Sequence, residues 1–208
     1  MAISKIGLCN LSLSHIGAGA ISAINESSSE AIQCSLHYDN ALDFVLRDYP
    51  WNFATRRVSL AASTDTPPDE WGYAYSLPSD CLWSRRIVVN GAPTDPLFVV
   101  EINSAGDGKL LLTNEATAVL QYTARVTETT LFDPMFTETL SWKLASMIAF
   151  PLTKSSELWN ACQTMYMNMK SAAQRADANE GYAETPANAD WIEARGISGT
   201  DPSFILRS

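Results

Sequence analysis

The chain holds 208 residues, with 14 Lys and Arg against 23 Asp and Glu, a formal net charge of −9. That length favours one domain or two small ones, and 46% hydrophobic with only 18% charged residues excludes a disordered chain. No apolar run approaches the roughly 18 residues of a membrane-spanning helix, and the acidic balance argues against static phosphate binding, which needs a Lys/Arg surplus on one face.

Ile6, Cys9, Leu13 and Ile16 recur at i, i+3, i+7 and i+10, one face of a short helix that Gly17 and Gly19 stop. Lys5 and the small residues from Gly17 to Ala20 have the outward look of an export leader. Asn10, Ser12, Ser14 and His15 break the apolar stretch that a leader needs, so none is expected. After a polar run from Asn25 to Ser29, Ser27 and Glu30 have capping-box spacing: the hydroxyl can accept the N3 amide while the carboxylate reaches back to the N-cap amide. Ile32, Leu36, Leu42, Val45, Leu46 and Tyr49 then predict the buried face of a second helix, ending at Pro50.

The middle third changes character. Prolines and glycines punctuate short β-rich runs at Asn52–Leu60, Tyr73–Leu77, Leu82–Val89, Leu97–Ile102, Lys109–Thr113 and Ala118–Val126. Leu120, Tyr122, Ala124 and Val126 alternate with polar neighbours, as a half-buried strand requires, and Phe98, Val100 and Ile102 alternate in the same way. Asn90-Gly91 and Asp107-Gly108 offer tight hairpin turns. Arg56-Arg57 and Arg85-Arg86 are expected to send one arginine to each side of the sheet, so that neither doublet makes a basic patch.

At Asp133-Pro134 the pattern returns to helix, since Asp caps well and Pro at N1 loses no hydrogen bond. Phe136, Leu140, Leu144, Met147 and Ile148 form a stripe that Trp142 and Ala145 widen, so this helix is expected to be buried nearly all round. Pro151 should end or kink it. Ser155 or Ser156 can cap a last helix with the stripe Trp159, Cys162, Tyr166, Met169 and Ala173, running out near Gly181. The sequence thus predicts an α+β fold: a bundle of about four helices split by an antiparallel β-sheet or small-barrel insertion, with an extended C-terminal arm. Expected boundaries are 1–51 and 133–181 for the two bundle halves, 52–132 for the β domain and 182–208 for the arm.

Motifs that carry chemistry are scarce. Cys9, Cys34, Cys81 and Cys162 show no CxxC spacing and no histidine partners, so free thiols are expected rather than a zinc site or a disulfide framework. Gly106-Asp107-Gly108-Lys109 lacks the earlier glycine and the following Ser/Thr of a phosphate loop and reads as a hairpin turn. Gly17-Ala18-Gly19 lacks the third glycine and the preceding strand of a dinucleotide site. His15 and His37 sit in no ligand spacing, and no GxSxG elbow supports a serine nucleophile. Asp65, Asp69 and Glu70 beside Thr66-Pro67-Pro68 read as a solvated loop. Met165, Met167 and Met169 read as bundle core or rim, or as an adaptable partner-facing surface. No cofactor and no catalytic residue is expected.

The segments nevertheless fall into a recognisable order. A helix breaking at Ile16-Gly17-Ala18 is followed by one ending in Arg47-Asp48-Tyr49-Pro50-Trp51-Asn52-Phe53. Then come Tyr73-Ala74-Tyr75-Ser76-Leu77-Pro78-Ser79-Asp80-Cys81-Leu82, Leu131-Phe132-Asp133-Pro134-Met135-Phe136, and a Trp142-Lys143-Leu144-Ala145 helix running into Pro151-Leu152-Thr153. Together, over roughly residues 1–181, they resemble the tail tubular protein A family, the head-to-tail adaptors of short-tailed phages. Trp51-Asn52-Phe53 and Leu77-Pro78-Ser79-Asp80 are the most specific pieces. The resemblance implies a non-enzymatic virion protein of the tail or neck, made in the host cytoplasm, that forms a ring, commonly of twelve copies. That ring would lie between portal protein and tail nozzle protein, the bundle facing its ring neighbours and the β domain projecting. Another neck component, such as a head-completion or stopper protein, is the alternative. Double-stranded DNA would pass through the lumen as cargo. None of the four segments carries a net positive charge, so DNA can slide without being held by counterion release. The arm matches no part of the family, yet holds Trp191, Ile192, Phe204, Ile205 and Leu206, apolar residues wasted in a solvated linker. These five are the expected partner-binding residues, docking on the portal or on a neighbouring subunit.

Overall fold

A computed structural model describes residues 3–88 and 96–180; the expected Asn90-Gly91 turn and the arm at 182–208 lie outside them. Four helices and six strands follow in the order α-α-β-α-α, an α+β architecture. Helix α1 (Lys5–His15) is capped by Ser4, whose Oγ accepts the Gly7 amide at 3.0 Å. Its far end closes on Gly17 at φ 68°, with the Ala18 and Gly17 amides donating to Leu13 and Ser14, the paired bonds of a Schellman stop. Helix α2 (Ser29–Asp48) is capped one residue later than its spacing predicts. Ser28 Oγ accepts the Ala31 amide, and Glu26 takes Ser28 Oγ–H at 2.7 Å together with the amides of Ser22 and Ala23. With Glu26 holding that loop, Ser27 is displaced from the cap and Glu30 turns to Ser29 Oγ.

Helix α3 (Pro134–Thr153) starts as expected, with Asp133 Oδ1 accepting the amides of Met135 and Phe136. Pro151 does not end it. The proline stands in the last turn, where the only ladder bond forgone is the one to Met147, and the helix closes at Lys154, φ 57°. Helix α4 (Ser156–Glu180) begins on Ser155, whose Oγ accepts the Leu158 amide. Helix α3 packs against all three other helices and is buried nearly all round. Its buried hydroxyls, Thr139, Ser141 and Ser146, return their protons to carbonyls three or four residues back, so none is left unsatisfied.

Two faces differ from the sequence expectation. In α2 the buried series is Ala31, Cys34, Tyr38, Ala41, Leu42, Val45 and Leu46, while Ile32 and Leu36 are 54% and 61% exposed. Small residues let α2 approach its neighbours closely, which rotates the helix and turns two large apolar side chains outward. In α4, Trp159 is also exposed, as is Phe150 near the end of α3, and the buried residues are Cys162, Tyr166, Ala173 and Asp177.

The β insertion forms two three-stranded antiparallel sheets. One has the order β1 (Thr55–Ser59), β6 (Val119–Ala124), β3 (Cys81–Val88), and the other the order β2 (Tyr73–Ser76), β5 (Lys109–Thr113), β4 (Phe98–Ile102). Residues 60–63 join them: Leu60 donates to Ala118, whereas Ser63 donates to Ala74 and accepts nothing from β6, and Ser76 donates to Ala61. Tyr75, Leu111, Ile87, Leu120, Tyr122 and Ala124 meet between the sheets, so the pair forms a barrel closed along that side. The β4–β5 connection is a hairpin whose left-handed residue is Gly106, φ 77°, rather than Asp107 or Gly108, because the Asn103 side chain binds the Asp107 and Gly108 amides and fixes the turn there. Phe98, Val100 and Ile102 share the inward face with Leu111, as their alternation predicts, but Val100 and Ile102 are exposed because β4 is an edge strand. Arg85 breaks the doublet rule. The register shifts between Ser84 and Arg86, so Arg85 and Arg86 both reach the β6 face that carries Thr123 and Gln121 instead of opposite sides.

Trp51, the last residue before the β insertion, is fully buried, its indole N–H donating to Val45 O at 2.8 Å. It meets Phe136 edge-on at 5.2 Å, and Phe53 and Phe132 close on the same ring at 4.8 and 5.0 Å. Because Phe136 touches residues from both sides of the insertion, Phe136→Ala is expected to cost about 3–5 kcal/mol in urea denaturation. A loss below about 1 kcal/mol would show that the aromatic cluster is not what joins the halves.

Candidate functional site

Trp191, Ile192, Phe204, Ile205 and Leu206 lie outside the described residues. Within them, chemistry-bearing side chains concentrate at the joint between bundle and barrel, where both of the specific sequence pieces are found. In Trp51-Asn52-Phe53 the aromatic residues enter the core, and Asn52 turns to α4: its amide donates to Asp177 Oδ1 at 3.0 Å and its Nδ2 to Asp177 O at 2.7 Å. In Leu77-Pro78-Ser79-Asp80, the Asp80 carboxylate accepts from Arg56 at 2.9 Å and from the Tyr122 hydroxyl at 3.1 Å, while its carbonyl takes the Arg125 amide. Both pieces therefore hold elements together.

Four further residues, Arg85, Arg125, Arg47 and Tyr49, add contacts here. The bulged Arg85 donates to Thr123 Oγ1 and Thr55 Oγ1, both at 2.9 Å, and reaches the Trp51 carbonyl. Arg125 bridges to α2 through Asp43 at 2.6 Å and Asp39 at 2.9 Å, with Lys5 of α1 also near Asp39. Arg47 donates to the Leu82 carbonyl, and Tyr49 donates to Gln174 O. Burial raises the Asp177 pKa above the ordinary aspartate value, against the Asn52 amide and the nearby Arg85 guanidinium, which pull it down. An acid held by an amide and faced by a cation is a fixed strut.

The remaining candidates have similarly bounded roles. Asp65 accepts from Ser104 Oγ at 2.7 Å, while Asp69 and Glu70 are exposed, so the three carboxylates do not converge. Met167 is exposed and Met165 and Met169 are half-buried, placing the methionine run on the bundle rim. All four cysteines are free thiols, with Cys9 and Cys34 buried against each other. His15 stacks on Trp142 at 3.7 Å, its Nε2 lying 2.9 Å from Ser141 Oγ and 3.9 Å from Glu138. Ser141 has already given its proton to the Glu138 carbonyl, so Nε2–H donates to it.

Three apolar surfaces stand open on the described residues. Ile32 and Leu36, one turn apart on α2, border a shallow groove with Ile24, although the sequence pattern predicts both on the buried face. Phe44 lies further along α2, one face covered by the Lys143 ammonium at 3.9 Å. On the barrel, Leu97, just before β4, and Ile102, at its end, are 82% and 72% exposed. The signal for this last surface was present in the sequence as an apolar run, but its edge position depends on pairing that no local pattern encodes.

Burial pushes the His15 pKa below 6.5, with Glu138 pulling the other way. The folded protein then takes up this proton less readily than the unfolded chain, so stability is complete above the unfolded pKa and falls as pH drops through the folded one. Thermal midpoints measured between about pH 7 and about pH 5 are expected to decline, and His15→Gln to flatten that decline; an unchanged slope in the variant would assign it to carboxylates instead.

No protein-family model matches the chain, and no curated protein sequence matches it.

Proposed function

We propose that this chain is a structural head-to-tail adaptor of a short-tailed phage. Copies assemble into a ring, of about twelve by resemblance to the tail tubular protein A family, between portal protein and tail nozzle protein. Double-stranded DNA passes through the lumen without being specifically bound, and residues 182–208 dock on the portal or a neighbouring subunit. The protein acts in the virion after assembly in the host cytoplasm and catalyses no reaction.

The observation that carries this reading is the pair Ile32 and Leu36, large apolar side chains turned to solvent on the bundle's second helix. The resemblance puts ring neighbours against the bundle, and an open apolar groove on that unit suits such a contact. A ring of identical copies needs two different patches on each subunit, and the exposed α2 pair is proposed as one of them. The structural use of both pieces, Asn52 tying to Asp177 of α4 and Asp80 tying strands β1 and β6 together, is compatible with a shared architecture.

Co-expression with the portal and nozzle proteins of the same phage, followed by co-purification and electron microscopy, tests the assignment. Ring-shaped complexes containing the portal are expected. Leu36→Asp should lower ring yield at least about tenfold while moving monomer stability by no more than about 0.5 kcal/mol, because the side chain is exposed. Binding to neither protein would sink the adaptor reading.

A further inference from the structure

The barrel is closed on one side only. Residues 60–63 stitch β1 to β2, but on the opposite side β3 and β4 make no strand pairing among the described residues. Between these two edges runs a groove of about 370 Å³. Leu82, Trp83, Val100 and Ile102 supply its apolar lining, with Arg47 and Lys109 beside them. Phe98 on the same face of β4 is covered by the barrel core, whereas Val100 and Ile102 are not. An uncovered apolar edge of this kind is a template for another strand.

We propose that this seam receives residues 203–206, Ser-Phe-Ile-Leu, from a second copy of the chain, laid along β4 as an added strand. Three features select that occupant. Phe204 and Leu206 have the period-2 spacing that would put both into an apolar groove while Ile205 points away. The segment 182–208 carries more acidic than basic residues, and the groove brings two cations, Arg47 and Lys109, against the single carboxylate of Glu101; Lys109 has no ion-pair partner among the described residues. Reach is sufficient: α4 ends at Glu180 beside the joint, and the chain from there to residue 203 can extend up to about 75 Å.

Tail and seam are different surfaces, so the contact is heterologous and propagates from copy to copy until a rotation closes it. The choice of a second copy over the chain's own groove rests on the ring reading. Flanking strands give the seam directionality that a flat apolar patch lacks, because backbone amides and carbonyls fix the register of the guest.

Two full-length variants test it: Ile102→Arg, which fills the groove entrance with a charged side chain at an exposed position, and Phe204→Asp with Leu206→Asp, which removes the guest's anchors. In sedimentation velocity without any other protein, the wild type is expected to associate with rising concentration. Each variant alone should sediment as a monomer, and an equimolar mixture should restore a heterodimer, since one partner keeps its tail and the other its seam. Circular dichroism of each variant confirms that the fold is intact. A wild type that associates equally well with either variant's changes removes the seam while leaving the ring reading in place. Wild-type protein that stays monomeric, with Trp83 fluorescence shifted by the tail substitutions in dilute solution, would place the tail in its own groove and overturn the exchange. Portal co-purification is a separate readout, so loss of one does not stand for loss of the other.

Discussion

An insertion running from residue 52 to residue 132 enters and leaves the bundle at a single place, and the contact between Trp51 and Phe136 closes that place. Trp51 and Phe53 stand where the chain departs, Phe132 and Phe136 where it returns, and each of these rings lies within 6.3 Å of at least two of the others by centroid. Aromatic pairs at such distances contribute beyond the area they bury. With entry and exit clasped, the barrel hangs from the bundle on a short, dry hinge. Its orientation is then set by the polar contacts around the clasp: Asn52 with Asp177, Arg125 with Asp39 and Asp43, and Arg47 with the Leu82 carbonyl.

This arrangement explains how the charges are used. Arg56, Arg85, Arg125 and Lys170 are held by acids, hydroxyls or carbonyls of the same chain. With those cations committed to joints, Asp69, Glu70, Glu157 and Glu180 face solvent. Arg57, Lys109, Lys154 and Arg175 are exposed as well, so the surface away from the joints carries charge of both signs.

Much of the architecture is legible in the sequence. All six β runs become strands and all four helical stripes become helices, because turn residues and periodicity act locally. Asp133-Pro134 starts α3 for the reason its chemistry gives, as two orphan amides meet one carboxylate. Where the reading departs, the deciding cause is non-local. The second helix buries alanines and a cysteine instead of its isoleucine and leucine, because close approach to neighbours favours small side chains. A one-residue register shift at Arg85 sends two adjacent arginines to the same face, and nothing in Arg-Arg announces a bulge. The β4 alternation is correct in direction, but the covering that alternation anticipates is missing, because the strand order leaves β4 on an edge. The aromatic clasp was visible only as motif residues whose partners lay far along the chain.

The split bundle also fixes an order of events during synthesis. His15 bonds Ser141 across 126 positions and Asn52 bonds Asp177 across 125, so α1 and α2 emerge from the ribosome well before the helices that cover them. The barrel strands pair mainly with one another and can complete their core first. Until α3 arrives, Leu42, Leu46 and Trp51 have no lid, and contacts closed over such sequence distances form slowly. A nascent half-bundle with uncovered apolar faces is thus an obligatory stage in making this protein, and the one at which chaperones or premature self-association compete with folding.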